Sequence, residues 1–105
     1  MIHVTLYKNK DGEIYRFVVL NHGEAIVCAG VSALVITCVN FIQSRFGVGV
    51  QSHDEGGGYI DFEISGLKDD VLIKEIALII DQMVFGLEQI RESYKKEVKI
   101  KIRKE

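Results

Sequence analysis

Eighteen consecutive residues, Ala25 to Ile42, carry no charge. A stretch this apolar must be kept from water, by the rest of the chain or by a membrane. Its length sits at the lower limit for a bilayer span, roughly 17–25 residues, and it contains Ser32, Thr37 and Asn40. Strand-like alternation flanks it closely on both sides. We therefore expect a helix from about Glu24 to Ser44 that lies in a protein core, with no membrane partner. It is apolar nearly all round, which marks a helix covered on most sides. In a chain of 105 residues, that much burial calls for a partner subunit, so a homodimer is expected.

The composition can build a core around this helix. The chain is 48% hydrophobic and 27% charged, too apolar for disorder and polar enough for solubility. Residues 1–105 are expected to form one domain, since domains usually hold roughly 100–150 residues. Two cysteines cannot make a disulfide framework and suit a reducing compartment. The opening residues alternate instead of placing a continuous apolar run after a basic segment. No signal peptide is expected, and the protein reads as cytoplasmic.

Ile2, Val4 and Leu6 alternate with His3, Thr5 and Tyr7, the two-residue period of a half-buried strand. Lys8 to Gly12 is a turn, and Glu13 to Leu20 is a second strand that closes a hairpin. Beyond the long helix, Gly47 to Ser52 reads as a third strand, with Val48 and Val50 pointing one way. Tyr59 to Ile64 is a fourth, with Ile60, Phe62 and Ile64 facing the core and Asp61 and Glu63 facing water. Between them, Asp54-Glu55-Gly56-Gly57-Gly58 is a hairpin turn. Glycine runs also cradle phosphates, but such cradles stand between a strand and a helix N-terminus, and here strands lie on both sides. Asp69 and Asp70 open a second helix, where acidic residues suit the positive end of the dipole. Its inner face is Ile73, Ile76, Ala77, Ile80, Val84, Leu87, Ile90 and Tyr94. Val98, Ile100 and Ile102 alternate with Lys99, Lys101 and Arg103 in a last strand. The expected fold class is α+β: two layers, a mainly antiparallel sheet and two long helices, in the order ββαββαβ.

The segment Asn21 to Ser32 is where chemistry concentrates. It leaves a strand, passes a short polar loop and enters the apolar helix. A cysteine near a helix start feels unpaired backbone N–H groups and the dipole, which both favour thiolate over thiol. Cys28 with His22 within reach makes the minimal nucleophile–base unit, and free N–H groups of the same helix start can hold an oxyanion. Geometry decides. Were residues 22 to 28 all helical, the step would turn His22 well away from Cys28 around the axis. The two meet only if Gly23 and Glu24 form a loop and the helix starts near Ala25. A competing cap, Asn21 with Glu24, would put His22 in the first turn and separate them. An inert buried cysteine beside a surface histidine satisfies the same spacing. Cys38 reads as a core residue. His3 and His53 fall on an exposed strand face and at a turn. The scattered Cys and His residues lack metal-ligand spacing, so neither a metal nor a cofactor is expected.

His22, the run Ile26-Val27-Cys28-Ala29 and Ser32 together resemble the signature of the ribosomal-processing cysteine proteases, the Prp family. Members have a histidine after the second strand, a loop, an Ile-Val-Cys-Ala run opening a long buried helix, and a serine four residues past the cysteine. The resemblance extends over the N-terminal hairpin, the Gly56–Gly58 turn, the amphipathic second helix and the basic last strand. It implies a cysteine endopeptidase with Cys28 as nucleophile and His22 as base, working as a homodimer. Ser32 and Glu24 are the candidate supporting residues. The implied substrate is a ribosomal protein precursor, number twenty-seven of the large subunit, which loses a short N-terminal extension. This chain departs in three places. Asn21 stands where many members have glycine, Ala25 stands where many have an acidic residue (with Glu24 beside it), and the loop from His22 to Cys28 is shorter than in many members.

Charge is uneven. Arg91 to Glu105 holds seven basic and three acidic residues, against six basic and twelve acidic in the first ninety. The stripe Lys95, Lys96, Lys99, Lys101, Arg103 and Lys104, with Tyr94 nearby, supports a second reading from another class. On that reading the chain is a non-catalytic ribosome- or RNA-associated binding module. The same stripe would give an enzyme a weak contact with ribosomal RNA.

Overall fold

Asn9 organises the first turn. Its side-chain oxygen accepts hydrogen bonds from the backbone N–H groups of Asp11 (3.0 Å) and Glu13 (2.9 Å), the local bonding that makes asparagine a turn residue. This joins β1 (Ile2–Lys8) to β2 (Ile14–Leu20) as an antiparallel hairpin. The computed structural model describes residues 1–53 and 58–105. The chain continues through α1 (Ala25–Phe46), β3 (Val50–His53), β4 (Tyr59–Glu63), α2 (Asp70–Ser93) and β5 (Val98–Lys104), the expected order ββαββαβ. The five strands form one sheet in the order β3-β4-β2-β1-β5. Every pairing is antiparallel except β1 with β5, which run parallel. A parallel neighbour needs a crossover, and α2 supplies it.

The core lies between the sheet and the two helices. Ile2, Val4 and Leu6 of β1 are buried, as are Phe17 and Val19 of β2. From α1, Val27, Val31, Val35, Cys38, Val39 and Ile42 pack inward. Asp69 caps α2, its carboxylate accepting from the N–H groups of Val71 and Leu72, and the buried stripe behind it is Ile76, Ile80, Met83 and Leu87.

Several expectations change on contact with tertiary structure. Within one chain, α1 is covered on one side only: Ile26, Ile36 and Phe41 on its outer surface are 67%, 44% and 47% exposed, the side for which a partner subunit was expected. One sheet can cover only one side of a helix, so the outer apolar surface is left open. β3 starts at Val50, not Gly47. Val48 packs against the core whereas Val50 is exposed, because Gly49 has a left-handed backbone (φ 94°) that breaks the alternation. A β-carbon at Gly49 would run into the Phe62 ring. On α2, Met83 is buried although the sequence stripe passed through Val84, since a period of 3.6 admits either position. Tyr94 leaves the stripe because it lies past the last helical residue, as the C-cap. Ile102 is exposed near the end of β5.

Asp61 lies on the outer face of the sheet but is not simply hydrated. Arg16 donates to both its carboxylate oxygens, from Nε at 2.9 Å and from Nη2 at 2.6 Å, and the Tyr59 hydroxyl donates at 3.2 Å. The Arg16 bonds hold the Asp61 carboxyl below its ordinary range. Arg16 also lies over the Tyr7 ring, 4.7 Å from its centroid. The expected turn at Asp54 to Gly57 lies outside the described residues.

Candidate active site

β2 ends at Leu20, and the chain turns out of the sheet at Asn21, whose φ is +73°. That left-handed conformation is open to glycine and asparagine and strained for most other residues. It explains why asparagine serves where the family resemblance has glycine. The Asn21 N–H donates to the Gly58 carbonyl at 2.7 Å, and the N-terminal amino group donates to the His22 carbonyl at 3.2 Å. Residues 21–24 are therefore a loop tied at both sides.

α1 begins at Ala25, with Glu24 as its N-cap residue and no side-chain cap bond. The competing Asn21–Glu24 cap does not form. With the loop non-helical, His22 turns back toward the helix, and its Nδ1 lies 3.6 Å from the Cys28 sulfur. Cys28 is half-buried and His22 exposed, so the pair is open to a substrate. Cys28 is the fourth helical residue, and its N–H donates to the Glu24 carbonyl at 2.8 Å. The cysteine amide is thus already inside the helical ladder. The donors left free at a helix start are those of the preceding residues, here Ala25, Ile26 and Val27.

Cys28 and His22 face a small cavity of about 50 Å³, shared with Asn21, Ser32, Gly58 and Tyr59. This has room for a small group but not for a peptide segment. Ser32 lines the cavity one helical turn beyond Cys28. Glu24 is exposed and stands outside the lining. A larger hollow of about 530 Å³ lies between the β1–β2 turn and the start of α2 and contains none of the candidate residues. Reactive groups, not volume, locate the site. Among the described residues, no carboxylate hydrogen-bonds to His22, and no group of three or more His, Cys, Asp or Glu side chains converges to hold a metal. Gly58 and Tyr59 entered the sequence reading only as turn and strand residues, not as part of the site. They reach the site only because β4 pairs with β2, with Tyr59 opposite Leu20, and no local pattern marks that register.

The second cysteine behaves differently. Cys38 is 5% exposed, and burial pushes its thiol up to about 12. In the native protein, iodoacetamide at neutral pH is expected to label Cys28 and spare Cys38, with both labelled after unfolding. Peptide mapping by mass spectrometry checks this, and native labelling of Cys38 ahead of Cys28 would refute the placement.

Residues 1–99 match the family described as cysteine protease Prp. The ribosomal processing cysteine protease Prp of Bacillus subtilis (strain 168) is 31% identical over 107 residues, covering 95% of this chain and 96% of the relative. Among solved structures, the essential ribosomal processing protease Prp from S. aureus, in complex with a covalently linked product peptide, is similar at a TM-score of 0.87 and 27% identity. That match covers 98% of this chain and 100% of the other. The S. aureus protease in complex with a substrate peptide is similar at 0.84 and 26% identity, over 98% and 100% of the two chains.

Proposed function

This chain belongs to the cysteine protease Prp family, and on that premise we propose that Cys28 and His22 are the groups with which it cuts a ribosomal protein precursor. The observation that carries the reading is the 3.6 Å separation of Cys28 Sγ and His22 Nδ1. His22 takes the thiol proton, and the Cys28 sulfur attacks the scissile carbonyl carbon. The free N–H groups of Ala25, Ile26 and Val27 stabilise the oxyanion. As the tetrahedral species collapses, the C–N bond breaks and His22 returns the proton to the leaving amine. Water, deprotonated by His22, then attacks the thioester. The extension leaves as a carboxylic acid, and Cys28 regains its proton. Ser32, which lines the same cavity, is a further polar group for the bound segment. The covalently linked product peptide in the S. aureus relative supports such a covalent route.

The proposed substrate is large-subunit ribosomal protein number twenty-seven, cut in the cytoplasm as ribosomes assemble. Two surfaces fit this setting. Ile26, Ile36 and Phe41 of α1, with Leu78 and Phe85 of α2, are exposed apolar side chains, and we assign this surface to a second copy of the chain. On the other side of the sheet, Lys99, Lys101 and Arg103 alternate along β5, and no ion pair among the described residues engages them. We assign them to weak contact with ribosomal RNA, which salt should abolish.

Incubation of the purified protein with a precursor bearing its N-terminal extension tests the proposal. N-terminal sequencing is expected to show a single new terminus, with sedimentation of the same sample giving twice the 11.8 kDa chain mass. An intact precursor after prolonged incubation with active dimer would overturn the substrate. A monomer that cuts at full rate would overturn the dimer.

A further inference from the structure

The glycine run before β4 ends in a residue that the turn alone does not explain. Gly58 has φ +85°, and the His22 ring lies directly against it. A β-carbon at Gly58 would stand 2.6 Å from His22 Nε2, 3.0 Å from Cδ2 and 3.2 Å from Cε1. The first of these is closer than real β-carbons approach other atoms, so either the ring or the strand would have to move. The same glycine accepts the 2.7 Å hydrogen bond from the Asn21 N–H, which fixes the residue just before His22. One residue thus holds the histidine loop by its carbonyl and leaves room for the imidazole by lacking a side chain. With Nε2 against Gly58 and Nδ1 toward Cys28, the ring is aimed by the backbone, with no carboxylate bonded to it among the described residues.

We propose that Gly58 is a positioning residue: its bare α-carbon is the seat that sets the His22 imidazole against the Cys28 sulfur. This rests on the reading of Cys28 and His22 as the reactive pair. Displacing an aligned group by about 1 Å costs on the order of 100-fold in rate. A side chain at Gly58 should therefore lower kcat far more than it changes KM, because the ring moves while most of the bound peptide lies beyond the cavity of about 50 Å³ that Gly58 lines.

Two variants separate the seat from the backbone. Gly58→Ala adds a β-carbon and strains the left-handed conformation. Gly58→Asn adds the same β-carbon but tolerates that conformation, and it carries the test if the alanine variant does not fold. Gly47→Ala is the control. Gly47 has φ +66° with open space around it, so it bears the strain with nothing to strike. Both Gly58 variants are expected to lose about 100-fold in kcat with KM within about threefold, and to slow Cys28 alkylation by iodoacetamide at neutral pH. Gly47→Ala should leave both rates within about twofold while lowering stability. Restored rates in Gly58→Asn, or Gly58 variants that behave like Gly47→Ala, would overturn the seat. Nuclear Overhauser contacts between the His22 ring and the Gly58 α-protons of the parent report the seat without any chemistry. Their absence overturns it even in an active enzyme. If they are present but the parent neither cuts precursor nor alkylates faster than a free thiol, the reactive-pair reading fails instead, and the positioning role falls with it.

Discussion

Cys28→Ala is expected to abolish precursor cleavage, with a loss of at least about 10⁴-fold in kcat, while the protein stays folded. The substitution removes the sulfur proposed to form the covalent intermediate, and general-base help without a nucleophile is worth little. A loss of that size corresponds to about 5.4 kcal/mol of transition-state stabilisation. His22→Ala should cost roughly 10²–10⁴-fold, the usual worth of a positioned base. The double variant should be hardly worse than Cys28→Ala, because groups acting as one unit do not contribute additively. Cys28 is only half-buried, so thermal unfolding should move little. Residual cleavage near the parent rate in Cys28→Ala would remove the sulfur from the mechanism. An unfolded variant would not count, and circular dichroism on the assayed sample decides that.

Phe62→Ala is expected to be the most damaging substitution for stability, at about 3–5 kcal/mol. Phe62 is 1% exposed, and its ring meets Phe17 edge-on at 5.5 Å between centroids. It also fills the space that Gly49 leaves open, so no neighbour can readily collapse into the cavity. Domains of this size hold about 5–15 kcal/mol in all. The melting temperature should fall on the order of 20 °C, at roughly 4–8 °C per kcal/mol. Ser52→Ala, on the exposed side of β3, should stay within about 0.5 kcal/mol. A melting shift of only a few degrees in Phe62→Ala would mean that β3 and β4 are not anchored through this ring. Because β4 follows Gly58, partial loss of this packing should also reduce cleavage in molecules that remain folded.

Much of the fold is legible in the chain because it rests on short-range patterns. The alternation of Ile2, Val4 and Leu6 marks one buried strand face, and Asp69 at the start of α2 caps it as its residue type suggests. The proposed reactive pair is half legible. Cys28 and His22 stand out by type and by their place at a strand-to-helix junction. Whether they meet depended on the loop at residues 21–24, which two local rules disputed. The tertiary bonds of that loop, from Asn21 to Gly58 and from the N-terminus to His22, favour the loop over the Asn21–Glu24 cap. The exposed apolar side of α1 was hidden for the opposite reason. Its sequence is apolar all round, so nothing local says which side the sheet covers.

By itself, then, the order of residues determined the seven elements, the two-layer class and the placing of a cysteine and a histidine at the strand-to-helix junction. These follow from periods of two and 3.6 residues and from residue chemistry, which act within a few positions. Only tertiary structure decided that β5 lies parallel to β1, that Gly49 turns Val50 outward and that Gly58 meets the His22 ring. Each of these joins parts of the chain far apart in sequence. Strand register and side-chain contact are set by the packing of the whole core, which no local window contains.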